Sequence, residues 1–365
     1  MTANTLLITG ATGLVGERVL RAMLEADAEL HAYALLRTDA HWPRMSRALG
    51  NAAERVTPVQ GDVCRQGLGI DYAIRRKLTR EVTTVVHAAA NTCFSTPLAE
   101  ARRVNTEGTR ELLSLCRAFG RLRRFTFVST AYVAGRRQGR VLERDNGGDA
   151  GWVNAYERSK YEAECLVRDS TLDWTILRPS TIVCDSADGR VSQLNAVHRA
   201  LKVYNRGLAA MMPGDPLSAL DVVPADFVAR AIARITLDEH ASGRTLHLCA
   251  GAGSIRLGEL LEVAYALWAR DPMWRRRQVE RVILTDLDTY NLFANAVKET
   301  GDARLAAILA SLSHFIPQLG LPKTFDTTVA DSLLGYRAPP VSAYWESMIG
   351  HLMTDNWGGA QETAA

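Results

Sequence analysis

Lysine is scarce in this 365-residue chain: it occurs only at positions 77, 160, 202, 298 and 323, so nearly all of the 43 cationic side chains are arginine. Charge of one sign is also lacking in excess. The 43 cations face 40 acids for a formal net charge of +3, which gives no broad positive field for nucleic acid. Cysteine is sparse and scattered (Cys64, Cys93, Cys116, Cys165, Cys184, Cys249), with no C-x-x-C pair and no histidine cluster at metal-ligand spacing. Neither a disulfide framework nor a metal site is therefore expected, and the thiols read as free in a reducing cytoplasm. No apolar stretch approaches the ~20 residues a membrane span needs. The chain enters a strand-like run by Thr5, with no signal peptide ahead of it, so a cytoplasmic protein is expected. No solenoid-length repeat or low-complexity tract is found.

What is there fits a globular enzyme. Hydrophobic residues make up 47% and charged residues 23%, enough to bury a large core without staples. The length suits a dinucleotide-binding domain with a second lobe. The first half alternates strand-like and helix-like runs: Thr5 to Thr9, then Leu14 to Glu25; Leu30 to Leu36; Val56 to Gln60; Val82 to Ala89; Val104 to Phe119 as a helix; Arg124 to Ser129; Tyr156 to Asp169 as a helix; Trp174 to Arg178. This alternation predicts an α/β, doubly wound parallel sheet of the Rossmann kind over residues 1–180. A strand near Ala219 to Val223 and another at Thr245 to Cys249 predict that elements from about 219–250 return to it. The remainder of 181–356 is expected to form a smaller, mainly helical substrate lobe interleaved with the sheet, with a frayed tail at 357–365. Gly147 to Gly151 reads as a mobile loop.

The strongest local signal is Thr9-Gly10-Ala11-Thr12-Gly13-Leu14-Val15-Gly16, which follows a strand and opens a helix. One glycine permits a sharp turn, another lets backbone approach a pyrophosphate, and a third lets helix and strand pack closely. Gly10, Thr12, Gly13, Leu14, Val15 and Gly16 are thus candidate cofactor contacts, with the helix N-terminus facing the phosphates. Arg37 ends the second strand where an acid would instead select the 2′-hydroxyl of NAD, so NADPH (NADP) is the expected cofactor. Asp62 and Val63 follow the third strand beside the adenine position. Ala88, Ala89 and Ala90 close the fourth with small side chains, serving either core packing or the approach of a flat cofactor. His87, between strand residues, reads as a satisfied core histidine.

Tyr156 and Lys160 lie four residues apart on one helix face. Ten tyrosines and five lysines predict about 0.14 such pairs by chance, and Tyr156 is the only tyrosine so placed. A neighbouring ammonium and a cationic nicotinamide ring would both pull the phenol's pKa down toward a useful range. Ser129 and Thr130 supply hydroxyls at the end of the fifth strand, where doubly wound folds bind ligands.

Taken together, the glycine turn, Asp62, Ser129-Thr130, Tyr156-x-x-x-Lys160 and Arg178-Pro179 resemble the extended short-chain dehydrogenase/reductase family over roughly residues 5–240. Counting back from Gly135, the resemblance implies Thr130, with Tyr156 and Lys160, as the catalytic set. It also implies that Asn105, in Val104-Asn105-Thr106-Glu107-Gly108-Thr109, supports the cofactor pocket, and that Ser129, Pro179 and Thr181 border it. A narrower resemblance rests on His87-Ala88-Ala89-Ala90 with Phe94 and Pro97-Leu98, on Asn154-Ala155-Tyr156-Glu157-Arg158-Ser159-Lys160, on Leu177-Arg178-Pro179-Ser180-Thr181 and on Asp221-Val222-Val223-Pro224. These stretches look like the fatty acyl-CoA reductase and thioester-reductase (male-sterility-like) branch.

That branch implies NADPH-dependent reduction of an acyl thioester, brought on CoA or a separate acyl carrier protein, to an aldehyde, with further reduction to an alcohol left open. Reduction of a free aldehyde or ketone, oxidation of an alcohol, sugar-nucleotide epimerisation or dehydration, and a redox-silent cofactor sensor remain as alternatives. Arg275-Arg276-Arg277 reads first as solvated surface and second as a dock for CoA phosphates or an acidic carrier. Met211-Met212-Pro213 reads first as core filling and second as acyl-pocket lining. The oligomeric state is left open.

Overall fold

The computed structural model describes residues 4–301 and 303–358. Five strands of the first half, β1 (Thr5–Thr9), β2 (His31–Leu36), β3 (Val56–Gln60), β4 (Thr84–His87) and β5 (Arg124–Val128), join the strands Trp174–Pro179 and Arg244–Leu248 in one seven-stranded sheet. Its order is Arg244–Leu248, Trp174–Pro179, β5, β4, β1, β2, β3, with every pairing parallel. The chain leaves β1 toward β2 and β3, then returns to place β4 on the other side of β1. That reversal opens a crevice at the carboxyl ends of β1 and β4, the place where doubly wound sheets hold ligands.

The strand residues alternate between two cores, as a pleat of period two requires. Leu6, Ile8 and Val86 face one core, shared with the helices Leu14–Ala26 (α1) and Ala225–Thr236; Leu7, Val85, Phe125 and Phe127 face the other, with Leu112, Ala163 and Val167. The first core runs on without a break into the C-terminal lobe through Leu260, Trp268, Tyr344 and Ile349.

That lobe is mostly helical, with major helices Leu257–Trp268, Leu287–Glu299, Ala303–Leu312 and Trp345–Thr354. Two-stranded parallel ladders stitch it to the sheet domain, Lys323–Phe325 on Gly139–Val141 and Val222–Val223 on Thr181–Ile182. Met211–Pro213 pairs with Ile283–Thr285 inside the lobe, and Met212 is buried there as core.

Four local readings change. The expected strand Ala219 to Val223 is two short ladders in different sheets, interrupted at Asp221, whose carboxylate accepts from Ala250 N and Gly251 N at the distant turn Gly251–Gly253. The helix expected from Val104 is a longer helical run from Leu98 to Cys116, interrupted by a π-type turn at Arg103–Glu107. Gly147–Gly151 is pinned by an Arg137–Asp149 ion pair of 2.7 Å and by Arg136 N donating to the Gly151 carbonyl. Trp357, expected in the frayed tail, is buried against Trp268 with ring centroids 6.1 Å apart; residues 359–365 lie outside the described residues. No helix among the described residues is long and apolar enough to cross a membrane.

Candidate active site

The β1–α1 turn is built so that backbone, rather than side chain, faces the crevice. Gly10 has φ +71°, and a Cβ there would stand 2.5 Å from the Ala89 nitrogen, so only glycine fits the turn against the end of β4. At Gly16 a Cβ would collide with the Gly10 carbonyl, which is the close helix–strand approach. Gly13 occupies the N-cap of α1 with no side chain capping it, and it is exposed while Thr12, Leu14 and Val15 are partly so. The first-turn N–H groups lack helical acceptors and carry the positive end of the helix dipole. This cradle fits a pyrophosphate.

Charge collects where β2 and β3 end. Arg37 is exposed and makes no hydrogen bond or ion pair among the described residues, whereas Arg44 pairs with Glu17 at 2.9 Å and Arg47 donates to its own helix at Pro43 O. Asp62 accepts from Cys64 N at 2.9 Å, and the charges of Arg103 and Arg37 both reach the Cys64 thiol. Val63 is buried against Gly108. Ala88, Ala89 and Ala90 are partly buried at the end of β4, where Ala88 and Ala89 pack against the two cores and keep some surface on the crevice side of the strand end.

Between these ends, His87 is fully satisfied. Its Nδ1 meets Thr9 Oγ1 at 2.7 Å and its Nε2 meets Thr109 Oγ1 at 3.0 Å. Burial, with Lys160 nearby, holds its pKa down at about 3, so it stays neutral. It is a core residue. Asn105 sits in the π-type turn and bridges two elements: its Oδ1 accepts from Asn91 N (2.8 Å), and its Nδ2 donates to Asn91 O (3.0 Å) and Ser159 Oγ (2.9 Å). It thereby fixes the loop after β4 to the helix Ala155–Arg168.

That helix starts at Asn154, whose Oδ1 caps Glu157 N while Glu157 accepts from Val153 N. Tyr156 is half-buried in its first turn, and Lys160 is buried one turn on, donating to Val128 O at 2.7 Å and lying 4.0 Å from the Phe127 ring centre. Burial lowers the Lys160 ammonium to about 7. The two hydroxyls at the end of β5 diverge. Thr130 interacts with the Tyr156 phenol, while Ser129 is buried beside Glu164. Glu164 is itself buried in a bidentate pair with Arg178 (2.9 and 2.7 Å), and Arg178 also donates to Asp145 O. The arginine of Arg178-Pro179 thus locks the helix to the strand Trp174–Pro179. Pro179 is buried, and Thr181 donates to the Tyr132 hydroxyl at 3.0 Å.

In the free protein the balance at Tyr156 runs opposite to the effect expected of a neighbouring ammonium and a cationic nicotinamide ring. The chain's own groups push the Tyr156 phenol up to about 12: burial outweighs the Thr130 hydroxyl, which pulls the other way, and Glu157 adds to the rise. Lys160, whose ammonium donates to Val128 O, is not among the groups that shift it. In the free protein Tyr156 is therefore held firmly in its acid form.

Sequence reasoning missed the contribution of the second lobe. The Phe94 ring lies 5.5 Å from the Tyr156 ring and stacks on Phe315 at 6.5 Å. Gln318 Nε2 donates to Glu157 Oε1 at 2.6 Å, and Lys323 Nζ donates to Gln318 Oε1 at 2.5 Å and to Gly135 O at 2.8 Å. Lysine scarcity was the available signal for Lys323, one of only five in the chain. Arg275, Arg276 and Arg277 are exposed at the end of a short helix, Pro272–Arg276. No metal-binding cluster of His, Cys, Asp or Glu occurs among the described residues.

A parallel sheet wound on both faces, a glycine cradle at its switch point and a tyrosine–lysine helix beside it define a nicotinamide-dependent oxidoreductase of the extended short-chain dehydrogenase/reductase class. The chain belongs to the male sterility protein family, whose profile matches residues 8–232. It is 24% identical to the probable fatty acyl-CoA reductase 5 of Arabidopsis thaliana over 75% of this chain and 72% of that protein. It is 28% identical to a linear gramicidin synthase polypeptide of Brevibacillus parabrevis over 66% of this chain, which amounts to 5% of that much longer protein. The crystal structure of the terminal R domain from the myxalamid PKS-NRPS biosynthetic pathway superposes with a TM-score of 0.82 at 26% identity, covering 98% of this chain and 92% of that one.

Proposed function

We propose that this protein reduces acyl thioesters, carried on CoA or on a separate carrier protein, with NADPH as reductant and an aldehyde as first product. The observation that carries the reading is the Tyr156 phenol, kept protonated beside Thr130 at the mouth of the sheet, in a chain whose relatives include fatty acyl-CoA reductases and a terminal R domain. The unpaired Arg37 and the Gly10–Gly16 cradle fit the 2′-phosphate and pyrophosphate of NADPH. When bound, that cofactor supplies the hydride.

The chain's residues do the rest. Thr130 and Tyr156 hold the carbonyl oxygen, and Tyr156 gives it a proton as the carbonyl carbon is reduced to a hemithioacetal. The carbon–sulfur bond then breaks, its electron pair leaving with sulfur; the hydroxyl proton is lost as the carbonyl reforms, and the sulfur leaves as a thiol. One thioester, one NADPH and one proton thus give one aldehyde, one thiol and one NADP. Lys160, held at Val128 O, would bind the cofactor ribose. A second round on the aldehyde would give the alcohol.

A panel of acyl-CoA and carrier-bound thioesters, run beside free aldehydes, ketones and sugar nucleotides while NADPH consumption is followed, tests this. Thioester-dependent oxidation of NADPH with release of free thiol is expected. Turnover confined to free carbonyls would replace the proposal with a simple carbonyl reductase.

A further inference from the structure

Three aromatic rings run in a row from the phenol into the second lobe. Tyr156 meets Phe94 at 5.5 Å and 38°, and Phe94 meets Phe315 at 6.5 Å and 11°. Phe94 comes from the loop after β4, which Asn105 pins at Asn91 and which closes on itself where Asn91 Nδ2 donates to Thr96 Oγ1. Phe315 comes from the C-terminal lobe and precedes the short helix Ile316–Leu319. Its position is fixed from both sides: Asn154 Nδ2 donates to His314 O at 3.2 Å, and Gln318 donates to Glu157. The stack is therefore a built contact between two lobes, held by hydrogen bonds to the first turn of the Tyr156 helix. Phe315 is 6% exposed, whereas Phe94, next to Tyr156, is only partly buried.

Resting on the thioester reading above, we propose that Phe94, backed by Phe315, is the wall along which the acyl chain lies, and that it selects acyl groups that are apolar over their first few carbons. A carbonyl at Tyr156 puts the next carbons of the substrate against the neighbouring ring. Burying each methylene there strengthens binding about fourfold. The rigid backing from Phe315 keeps that ring in place, so the selectivity belongs to the pair and spans both lobes. Phe94 is a specificity-determining residue on this view, and Phe315 positions it.

The test uses S-alkyl pantetheine thioethers of increasing chain length, which lack a reducible carbonyl, with affinity read by calorimetry on the full chain. The wild type should gain about fourfold per methylene over the first few carbons. Phe94→Ala and Phe315→Ala should flatten that gradient while leaving NADPH affinity unchanged, and Phe94→Trp should shift the preference toward shorter chains. A wild type without a gradient, or a gradient that survives both alanine variants or Phe94→Trp unaltered, overturns the proposal. Because the probes are not substrates, a wild-type gradient that the alanine variants flatten, with no turnover of any acyl thioester, would reject the reductase reading and leave the aromatic wall standing.

Discussion

Lys160 Nζ donates to the carbonyl of Val128, the last residue of β5, at 2.7 Å, so the ammonium is tied to the strand that delivers Thr130. Sequence spacing puts Lys160 on the helix face of Tyr156, and the bond to Val128 fixes its orientation. A buried ammonium held down at about 7 costs the fold stability. The unfolded chain titrates near the usual lysine value and binds more protons between about 7 and 10.5, so stability rises with pH across that window. Lys160→Met should therefore lose ground to the wild type as pH rises from 6 to 10, by about 4 kcal/mol, on top of a pH-independent offset for the lost hydrogen bond. Activity should be abolished at every pH. Denaturant melts at the two pH values check it, and a gap independent of pH would contradict it.

Tyr156→Phe should lower kcat by about 10²-fold or more with NADPH affinity unchanged, the pattern for loss of a proton donor. Since the wild-type phenol is pushed up to about 12, it remains protonated throughout the neutral and mildly alkaline range. The alkaline limb of kcat/KM assigned to the free protein should accordingly lie above about pH 9, and an earlier limb would point to another acid.

Arg37→Ala should raise KM for NADPH by about 10-fold to 100-fold and leave NADH almost unaffected, because a charge-assisted bond to phosphate contributes about 1.5–3 kcal/mol. Arg44→Ala, whose guanidinium is already engaged by Glu17, should change neither by more than about twofold. Steady-state kinetics with both cofactors would settle the contrast, and equal effects of the two substitutions would dissociate Arg37 from the cofactor.

Much of this was legible in the sequence because it is local. The β1–α1 turn, the strand-end hydroxyls and the Tyr156–Lys160 pair depend on residues within one supersecondary unit, and periodicity alone places them. What escaped depends on pairing across long sequence separations. Nothing near residue 315 announces that its ring will stack on Phe94, or that Gln318 and Lys323 will reach Glu157 and Gly135. Asp221 escaped for a different reason: a five-residue run with strand-like composition hid a buried carboxylate that breaks it into two ladders. At Tyr156 spacing reports proximity to Lys160, while burial, which spacing does not report, raises the phenol in the free protein.

Glu143 provides a probe of how the second lobe is fastened. Its carboxylate is buried and accepts from His247 N (2.9 Å) on the sheet edge and from Val329 N (2.7 Å) and Ala330 N (3.1 Å) at the start of the helix Thr328–Leu334. Desolvation outweighs those three donors and lifts its pKa to about 7. A raised carboxyl pKa means that the folded chain binds the extra proton between about 4.5 and 7, so this group's contribution falls as pH rises through that window. Glu143→Gln keeps an acceptor and removes the charge. It should gain on the wild type by about 2 kcal/mol between pH 5 and pH 8, even if it is the less stable protein at pH 5. Chemical denaturation of both proteins at the two pH values measures the change, and a constant difference would show that Glu143 enters the fold already ionised.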